Sequence, residues 1–442
     1  MAATQFFTCL GGRESCESEA TSPDRYRNLL TLRPDTKLIA QGSCLSLAGA
    51  SFGRQSLVVQ MAHFNRLLSF DPEGLTVTAE AGVTMVRLYE FLSARGLHVP
   101  VQPGHPDITL GGCIAANVHG KNQYREGVFA DIVDEICLYH PRHGEMRLSA
   151  AHQSALFDLT RGGFGLTGVI LWARIRIKPV KGRQAEISHI PMADLGETVD
   201  AMIREKDNYD LLYSWNDLAT FGSTMGAGFL VCGNIVDDGA TNITGAGPTR
   251  YAKLAYRDKA YPIALLNPST LPLINFAYRK LNSRRAPKKL DGFSVNFPFA
   301  SKPQYFYAYG RKGFLEHQVL VPEAGIESYI EAFQSITRRH RAPFGLASLK
   351  LFRGRRQLLW YTGDGISFSL HLPAGDRSLA LLDDLDVLNS NSGAVTNLIK
   401  DPRISAGTAR RQFPEYENFR DKLRAHDPDR IFASQLSERL EL

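Results

Sequence analysis

Between Pro103 and Gly127 the chain reads PGHPDITLGGCIAANVHGKNQYREG. This stretch sets the small residues Gly104, Gly111, Gly112, Cys113, Ala115 and Ala116 ahead of a His-Gly-Lys-Asn cluster, His119 to Asn122. Small side chains let main-chain N–H groups come close to a bulky ligand, and the cluster then offers an imidazole and an ammonium beside it. The arrangement suits a polar, partly anionic cofactor with part of a reaction site attached. Earlier in the chain a second small-residue stretch, AQGSCLSLAGASFG (Ala40 to Gly53), follows the strand signal KLIA. Consecutive amides in such a loop form an anion-binding nest suited to a pyrophosphate. Alone it reads as a surface loop; its weight comes from the later wall.

At 442 residues the chain is too long for one compact core and divides into two domains, or at most three. A composition 44% hydrophobic and 22% charged is that of an ordinary globular protein. Six separated cysteines (Cys9, Cys16, Cys44, Cys113, Cys137 and Cys232) show no metal-ligand spacing, so free thiols, a cytoplasmic setting and no metal are expected. No apolar run is long enough to span a bilayer, and the start lacks a basic, then apolar, secretion pattern. The net charge of +6 is mild, and no nucleic-acid motif accompanies it, so nucleic acid is not expected as a partner.

The first third alternates strand and helix signals. LVVQM and LTVTAEA read as strands, and Thr84 opens a helix, MVRLYEFLSARG, whose Val86, Leu88, Phe91 and Leu92 share a face. DIVDEICLYH and VILWARIRIKPV read as further strands, with a short helix, SALFDLTRGG, between them. From about residue 181 longer helices alternate with strands such as DLLYSWND and GAGFLVCGNIV, the pattern of an α+β unit on an antiparallel sheet. YPIALLNPSTLPLINFAY (Tyr261 to Tyr278) is apolar but broken by three prolines, so it cannot be one helix. It runs into RKLNSRRAPKK, with six basic residues and no acid. A solvated loop and a flap touching an anionic membrane are equally good readings of that junction.

Gly163-Phe-Gly165-Leu-Thr-Gly168 formally matches the dinucleotide fingerprint GxGxxG. That fingerprint needs a strand before and a helix after, and here the order is inverted, so a Rossmann reading fails. His119 and Lys121 lie in too polar a neighbourhood for a comfortable core. Lys350 in SLKLF points away from Leu349 and Leu351, where a solvent-facing lysine is the default; for Lys400 in NLIKDPR the default is a surface ion pair.

These pieces in this order resemble the vanillyl-alcohol-oxidase/p-cresol-methylhydroxylase class of FAD flavoproteins, and within it the branch that oxidises decaprenylphosphoryl-ribose. The similar segments include FNRLLSFDPEGLTVTAEAGVT, VPVQPG, LGGCIAANVHGKN, GGFGLTGVI, GFLEHQVLVP, LKLF, IKDPR and DPDRIFASQLSERLEL, and they span nearly the whole chain from about residue 35. The resemblance implies an α+β, two-domain FAD-binding fold: an irregular arm over 1–22, an FAD-binding domain over 23–180, an antiparallel-sheet substrate domain over 181–394, and a segment, 395–442, closing the site.

It also implies which residues line the cofactor: Gly42, Ser43, Cys44, Leu45, Ser46, Gly104, Thr109, Gly111, Gly112, Cys113, Ala116, Asn117, Val118, Gly163, Gly168 and Ile170. Gly120, Gln318, Lys350, Phe352 and Ser369 are implied as substrate contacts, and Lys400, His119 and Lys121 as catalytic groups. Lys400 is either the proton acceptor or a fixed cation beside reduced flavin. The implied reaction oxidises a secondary alcohol of a sugar, the 2′-hydroxyl of a polyprenyl-phosphoryl pentose, with a separate NAD(P)H-dependent ketoreductase completing epimerisation. The stretch Tyr261 to Lys289 would face the inner side of the membrane. A soluble sugar, alditol, aldonolactone or natural-product alcohol is the alternative substrate. Leu45 stands about where related oxidases carry a flavin-linking histidine, so the FAD is expected to be non-covalent. The branch's pocket tyrosines are replaced, at Leu47, near Asn296 and at Asn397, and Ser369 and His371 stand where it has cysteine and aspartate.

Overall fold

The computed structural model describes residues 2–182, 184–237, 251 and 259–442, so part of the expected 181–394 unit lies outside the described residues. Two larger sheets and a two-stranded ribbon, Leu97–His98 with Lys178–Pro179, build the first domain. One runs in the order Ala3–Thr8, Ser15–Thr21, Leu57–Gln60, Leu38–Gln41, the last two strands being parallel. The other is antiparallel throughout, in the order Leu67–Asp71, Thr76–Glu80, Val169–Arg176, Val133–His140, Gly144–Ser149.

The expected irregular arm is instead a hairpin of Ala3–Thr8 with Ser15–Thr21. Its second strand, SCESEAT, buries Cys16, Ser18 and Ala20 while Glu17 and Glu19 face outward. Small residues alternating with acids make a strand with one packable face, which packs into the core with Phe52, Leu436 and Leu440 while Leu57–Gln60 pairs along its edge.

The helix Met85–Ser93 follows Thr84 and buries Met85, Val86, Leu88 and Leu92 against the second sheet; Phe91 is half-buried. The inverted glycine motif is a helix-to-strand turn, as its sequence order requires. A Cβ on Gly168, whose φ is +145°, would stand 2.6 Å from the Tyr139 carbonyl.

Among the described residues the second domain carries two four-stranded antiparallel sheets. They run Leu211–Asn216, Gly228–Val236, Gln184–Met192, Lys288–Asp291, and Leu346–Phe352, Gly365–Pro373, Phe314–Pro322, Val395–Thr396. In the latter sheet the two-residue period divides the strands sharply. Phe368, Leu370 and Leu372, with Leu349, Leu351 and Val319, enter a core under the helices Ile326–His340 and Asp376–Asn391. Each such side chain contributes about 1.5–3 kcal/mol on full burial. Ser367, Ser369, His371, Glu316, Gln318, Ser348 and Lys350 therefore fall on the opposite face, held there by register: Glu316 lies opposite His371, Gln318 opposite Ser369, and Lys350 opposite Ser367.

Residues 395–442 do more than close a site. Phe413, Tyr416, Phe419, Leu423, Leu436 and Leu440 share a core with Phe7, Phe52 and Phe164 of the first domain. The main chain is stitched there too, Leu38 N donating to Ile431 O at 2.7 Å and Ala433 N to Leu38 O at 3.0 Å.

Candidate active site

Three small-residue segments converge on one edge of the first domain. Gly42 packs against Thr109, where a Cβ would stand 2.2 Å from the threonine hydroxyl, and Ser43 Oγ donates to Asp107 O at 2.5 Å. Thr109 caps the short helix Leu110–Ala115, its hydroxyl accepting from Gly112 N at 3.2 Å. Gly162 N and Phe164 N donate to Ile114 O and Ala115 O at 2.9 and 2.8 Å, which lays the glycine turn alongside that helix.

The loop tests well as a cofactor cradle. The amides of Ser43, Cys44, Leu45 and Ser46 have no hydrogen-bond partner among the described residues. Cys44 takes a left-handed φ of +54°, the alternation that turns successive N–H groups into one concavity. Nearby, Asn117 Nδ2 is buried and unpartnered among the described residues. A pyrophosphate and a polar ring system fit such a donor set.

Not every expected cofactor residue offers its side chain. Cys113 is fully buried in the domain core, where burial pushes its thiol far up, and Ile170 packs in the same core. Gly163 is required by packing, since a Cβ would stand 2.1 Å from Leu159 O. At these positions only the main chain is available to a ligand. Gly104 is exposed with open space where a Cβ would be, while Ala116 and Val118 are half-buried along the wall.

Beyond that wall stands the polar face of the second domain's sheet. Gln318 is its hub: its Oε1 accepts from Asn397 Nδ2 at 2.6 Å, its Nε2 donates to Ser369 Oγ at 2.8 Å, and His119 Nε2 lies 3.3 Å from Oε1. The His119 ring packs edge-on against Phe352, with ring centres 4.9 Å apart, and beside Tyr361. Burial, reinforced by the Lys350 ammonium, pushes the imidazole down to about 3, so it is neutral at physiological pH.

Lys400 Nζ lies 3.4 Å from the Glu316 carboxylate, whose other contact is His371 Nε2 at 3.4 Å. Burial would raise the Glu316 carboxyl, but Lys400 and His371 outweigh it and hold it at about 2. Lys350 is pushed down to about 8, chiefly by burial, and Lys121 to about 7 by burial and the Lys350 ammonium. Lys121 stands apart from the hub: its Nζ donates to Val295 O and, at 2.8 Å, to Asn296 O. Gly120 beside it packs against Asn122 and the Gln102 carbonyl.

The aim of Lys400 is set from behind the sheet. Glu316 and His317 are consecutive and face opposite sides, as do Lys400 and Asp401. While Lys400 meets Glu316 on the polar face, Asp401 Oδ2 accepts from His317 Nδ1 at 2.9 Å on the buried side. Arg403 donates to Asp401 at 2.9 Å and to Asp386 at 2.9 and 3.2 Å. The surface ion pair that is the default for a lone lysine is thus replaced by a partly buried one at a constructed site.

Sequence reasoning missed Glu316 and Tyr361. The alternation in GFLEHQVLVP carries the signal for Glu316, because it puts that residue on the same face as Gln318. Nothing local announces Tyr361, which supplies an aromatic wall in a pocket lacking the branch's tyrosines and donates to or accepts from Ser367 Oγ at 2.8 Å.

The FAD binding domain family matches residues 20–147, the span that contains both small-residue walls. The chain is an FAD-dependent oxidoreductase. This flavoprotein is 28% identical over 92% of its length to decaprenylphosphoryl-β-D-ribose oxidase of Mycolicibacterium smegmatis, of which it covers 89%. A glycolate oxidase subunit of Bacillus subtilis is 28% identical over 35% of this chain and 35% of its own length. Bovine L-gulonolactone oxidase is 23% identical over 44% of each chain.

Proposed function

We propose that this flavoprotein oxidises a secondary alcohol of a sugar carried on a phosphoryl group, namely the 2′-hydroxyl of a polyprenyl-phosphoryl pentose. One observation carries the reading. Lys350 and Lys400 stand at a sheet face on which Glu316 is the one carboxylate among the described residues, and Lys121 lies near enough to feel the Lys350 ammonium. Burial depresses Lys121 and Lys350 towards neutrality, and a phosphoryl anion would restore their charge. The similarity to the ribose oxidase extends along nearly the whole chain, whereas the hydroxy-acid and lactone relatives match only part of it.

When bound, FAD supplies the acceptor for the carbinol hydride. The chain's own residues position and polarise. Gln318 and neutral His119 hold the sugar hydroxyls, solvent water takes the hydroxyl proton, and Lys400, paired with Glu316, is the fixed cation that draws the negative charge left behind. Of the two roles open to Lys400, the ion pair favours the fixed cation. The keto product then calls for a separate NAD(P)H-dependent ketoreductase, and the setting is the inner face of the cell membrane. A soluble sugar or alditol remains the second reading, favoured by the wholly polar wall of Ser367, Ser369 and His371. Anaerobic bleaching of the flavin decides between them: prenyl-phosphoryl ribose should bleach it at concentrations where soluble polyols do not, and the reverse order would refute the proposal. Acid precipitation should leave the yellow chromophore in the supernatant, as non-covalent FAD requires.

The lysines set a pH dependence. Their ammonium forms bind the phosphoryl group, and those forms are lost as pH rises through about 7 for Lys121 and about 8 for Lys350. Affinity for a phosphorylated ligand should therefore fall between pH 7 and 9, measured by equilibrium titration; an affinity flat across that range would exclude the two lysines as anion ligands. Phosphoryl binding should in turn raise both values.

Membrane contact is the companion proposal. Among the described residues no helix is long and apolar enough to cross a membrane. The helix Leu271–Asn282, which carries its proline in the first turn, buries only Leu271 and Asn275. Ile263, Leu265, Leu273, Ile274, Phe276 and Leu281 are exposed beside the basic run 279–289. Each basic residue near an anionic surface adds about 1 kcal/mol. The chain should float with vesicles containing anionic lipid, and Leu273→Asp with Phe276→Asp should release it; flotation unchanged by that pair would rule this surface out.

A further inference from the structure

Away from the flavin site, three histidines meet where the turn after strand Val133–His140 touches the end of helix Tyr416–His426. A ring nitrogen from each of His140, His143 and His426 lies within 4.8 Å of the others, and the ring centres are 4.7 to 5.1 Å apart. His143 Nε2–H donates to His426 O at 2.8 Å, and His426 Nε2–H donates to Thr167 O at 2.9 Å. Those two bonds assign the ring proton to Nε2 in both residues and leave the Nδ1 lone pairs available. A metal-binding imidazole is normally held in this way, its second nitrogen tied to a carbonyl.

A separate observation points to what belongs between them. His140 Nε2 and Asp427 Oδ1, on side chains 0% and 1% exposed, have no hydrogen-bond partner among the described residues and face each other at 3.8 Å. That gap is too long for a hydrogen bond, and two unsatisfied polar atoms buried face to face are costly. A small closure would let His140 Nε2–H donate to Asp427, the carboxylate that commonly stands behind a metal-bound imidazole.

We propose that His140, His143 and His426 bind one divalent transition-metal ion with water completing the set, zinc being the ion best suited to a nitrogen-and-oxygen set without thiolates. Binding through His140 Nδ1 keeps the ring proton on Nε2, towards Asp427, and replaces the 3.2 Å contact from Arg142 N to Nδ1; at that length it is a weak bond. The ion then ties together the 140–143 turn, the C-terminal helix and, through Thr167, the glycine turn beside the cofactor. Its role is a staple, with no part in the chemistry.

The test uses the FAD-loaded chain without a polyhistidine tag, stripped with chelator and titrated with zinc chloride by calorimetry, with metal content read by mass spectrometry. One zinc per chain and a higher melting temperature with zinc are expected. His143→Gln, on an exposed ring, should weaken zinc by more than about tenfold, the loss that even a partner behind a ligand commonly causes. Its metal-free melting temperature should stay that of the wild type, and His426→Gln should lose zinc likewise. Absence of saturable one-to-one binding, or wild-type affinity in both variants, would overturn the proposal, and neither result touches the reading of the flavin site.

Discussion

Lys400→Ala is expected to purify as a yellow, FAD-loaded protein whose flavin is bleached by substrate about 10²–10³-fold more slowly, the usual cost of removing one preorganised charge from a site of developing charge. The flavin should stay because the cradle amides of Ser43 to Ser46 and the wall Gly111–Val118 are untouched. Stopped-flow reduction under anaerobic conditions measures the effect. The Glu316 carboxylate keeps His371 as a partner in the variant, so the fold should survive. Bleaching at the wild-type rate would remove Lys400 from the mechanism.

Asp401→Asn carries the largest stability effect. Asp401 is 1% exposed, bonded to His317 and Arg403, and its carboxyl is driven far below the usual range; burial opposes this, but Arg403 and His317 prevail. Removing one partner from a buried charged network commonly costs 3–5 kcal/mol; because Arg403 retains Asp386, a loss of about 3 kcal/mol is expected in urea unfolding. Because the folded-state pKa is depressed, this contribution is complete above about pH 4, the unfolded carboxyl value, and is lost as pH falls below it. Wild type should lose stability steeply in that acid range, while the variant, lacking the group, should show a shallower acid limb. The same variant loosens the residue next to Lys400, so flavin reduction should slow even at temperatures where the protein is fully folded. A variant as stable as wild type would show that the network merely decorates the fold.

Much of the site was legible in particular residues. HGKN at 119–122 announced an imidazole and a lysine by the polarity of their neighbourhood, and the inverted order around Gly163 to Gly168 excluded a Rossmann turn. The alternation in SLKLF put Lys350 on the face opposite its leucines but read as solvent-facing, because the cover over that face comes from remote segments. The N-terminal hairpin was misread because SCESEAT has too few large apolar residues to look like a strand. Small side chains suffice only because Phe52 and the C-terminal Leu436 and Leu440 supply the cover. Glu316 was hidden for a different reason: its role arises from His371 and Lys400, which lie far from it along the chain.

By itself the sequence determined the chemistry available: two runs of small residues whose amides can approach a flavin, and a set of cations with which to meet an anion. Those follow from side-chain size and charge, which need no partner to be read. Only the tertiary structure decided that Lys400 pairs with Glu316 at the site rather than at the surface, that residues 395–442 complete the first domain's core, and that His119, Gln318, Lys350 and Lys400 share one place. Register across the Gly365–Pro373 strand and burial behind it fix those relations, and both depend on contacts between residues remote along the chain.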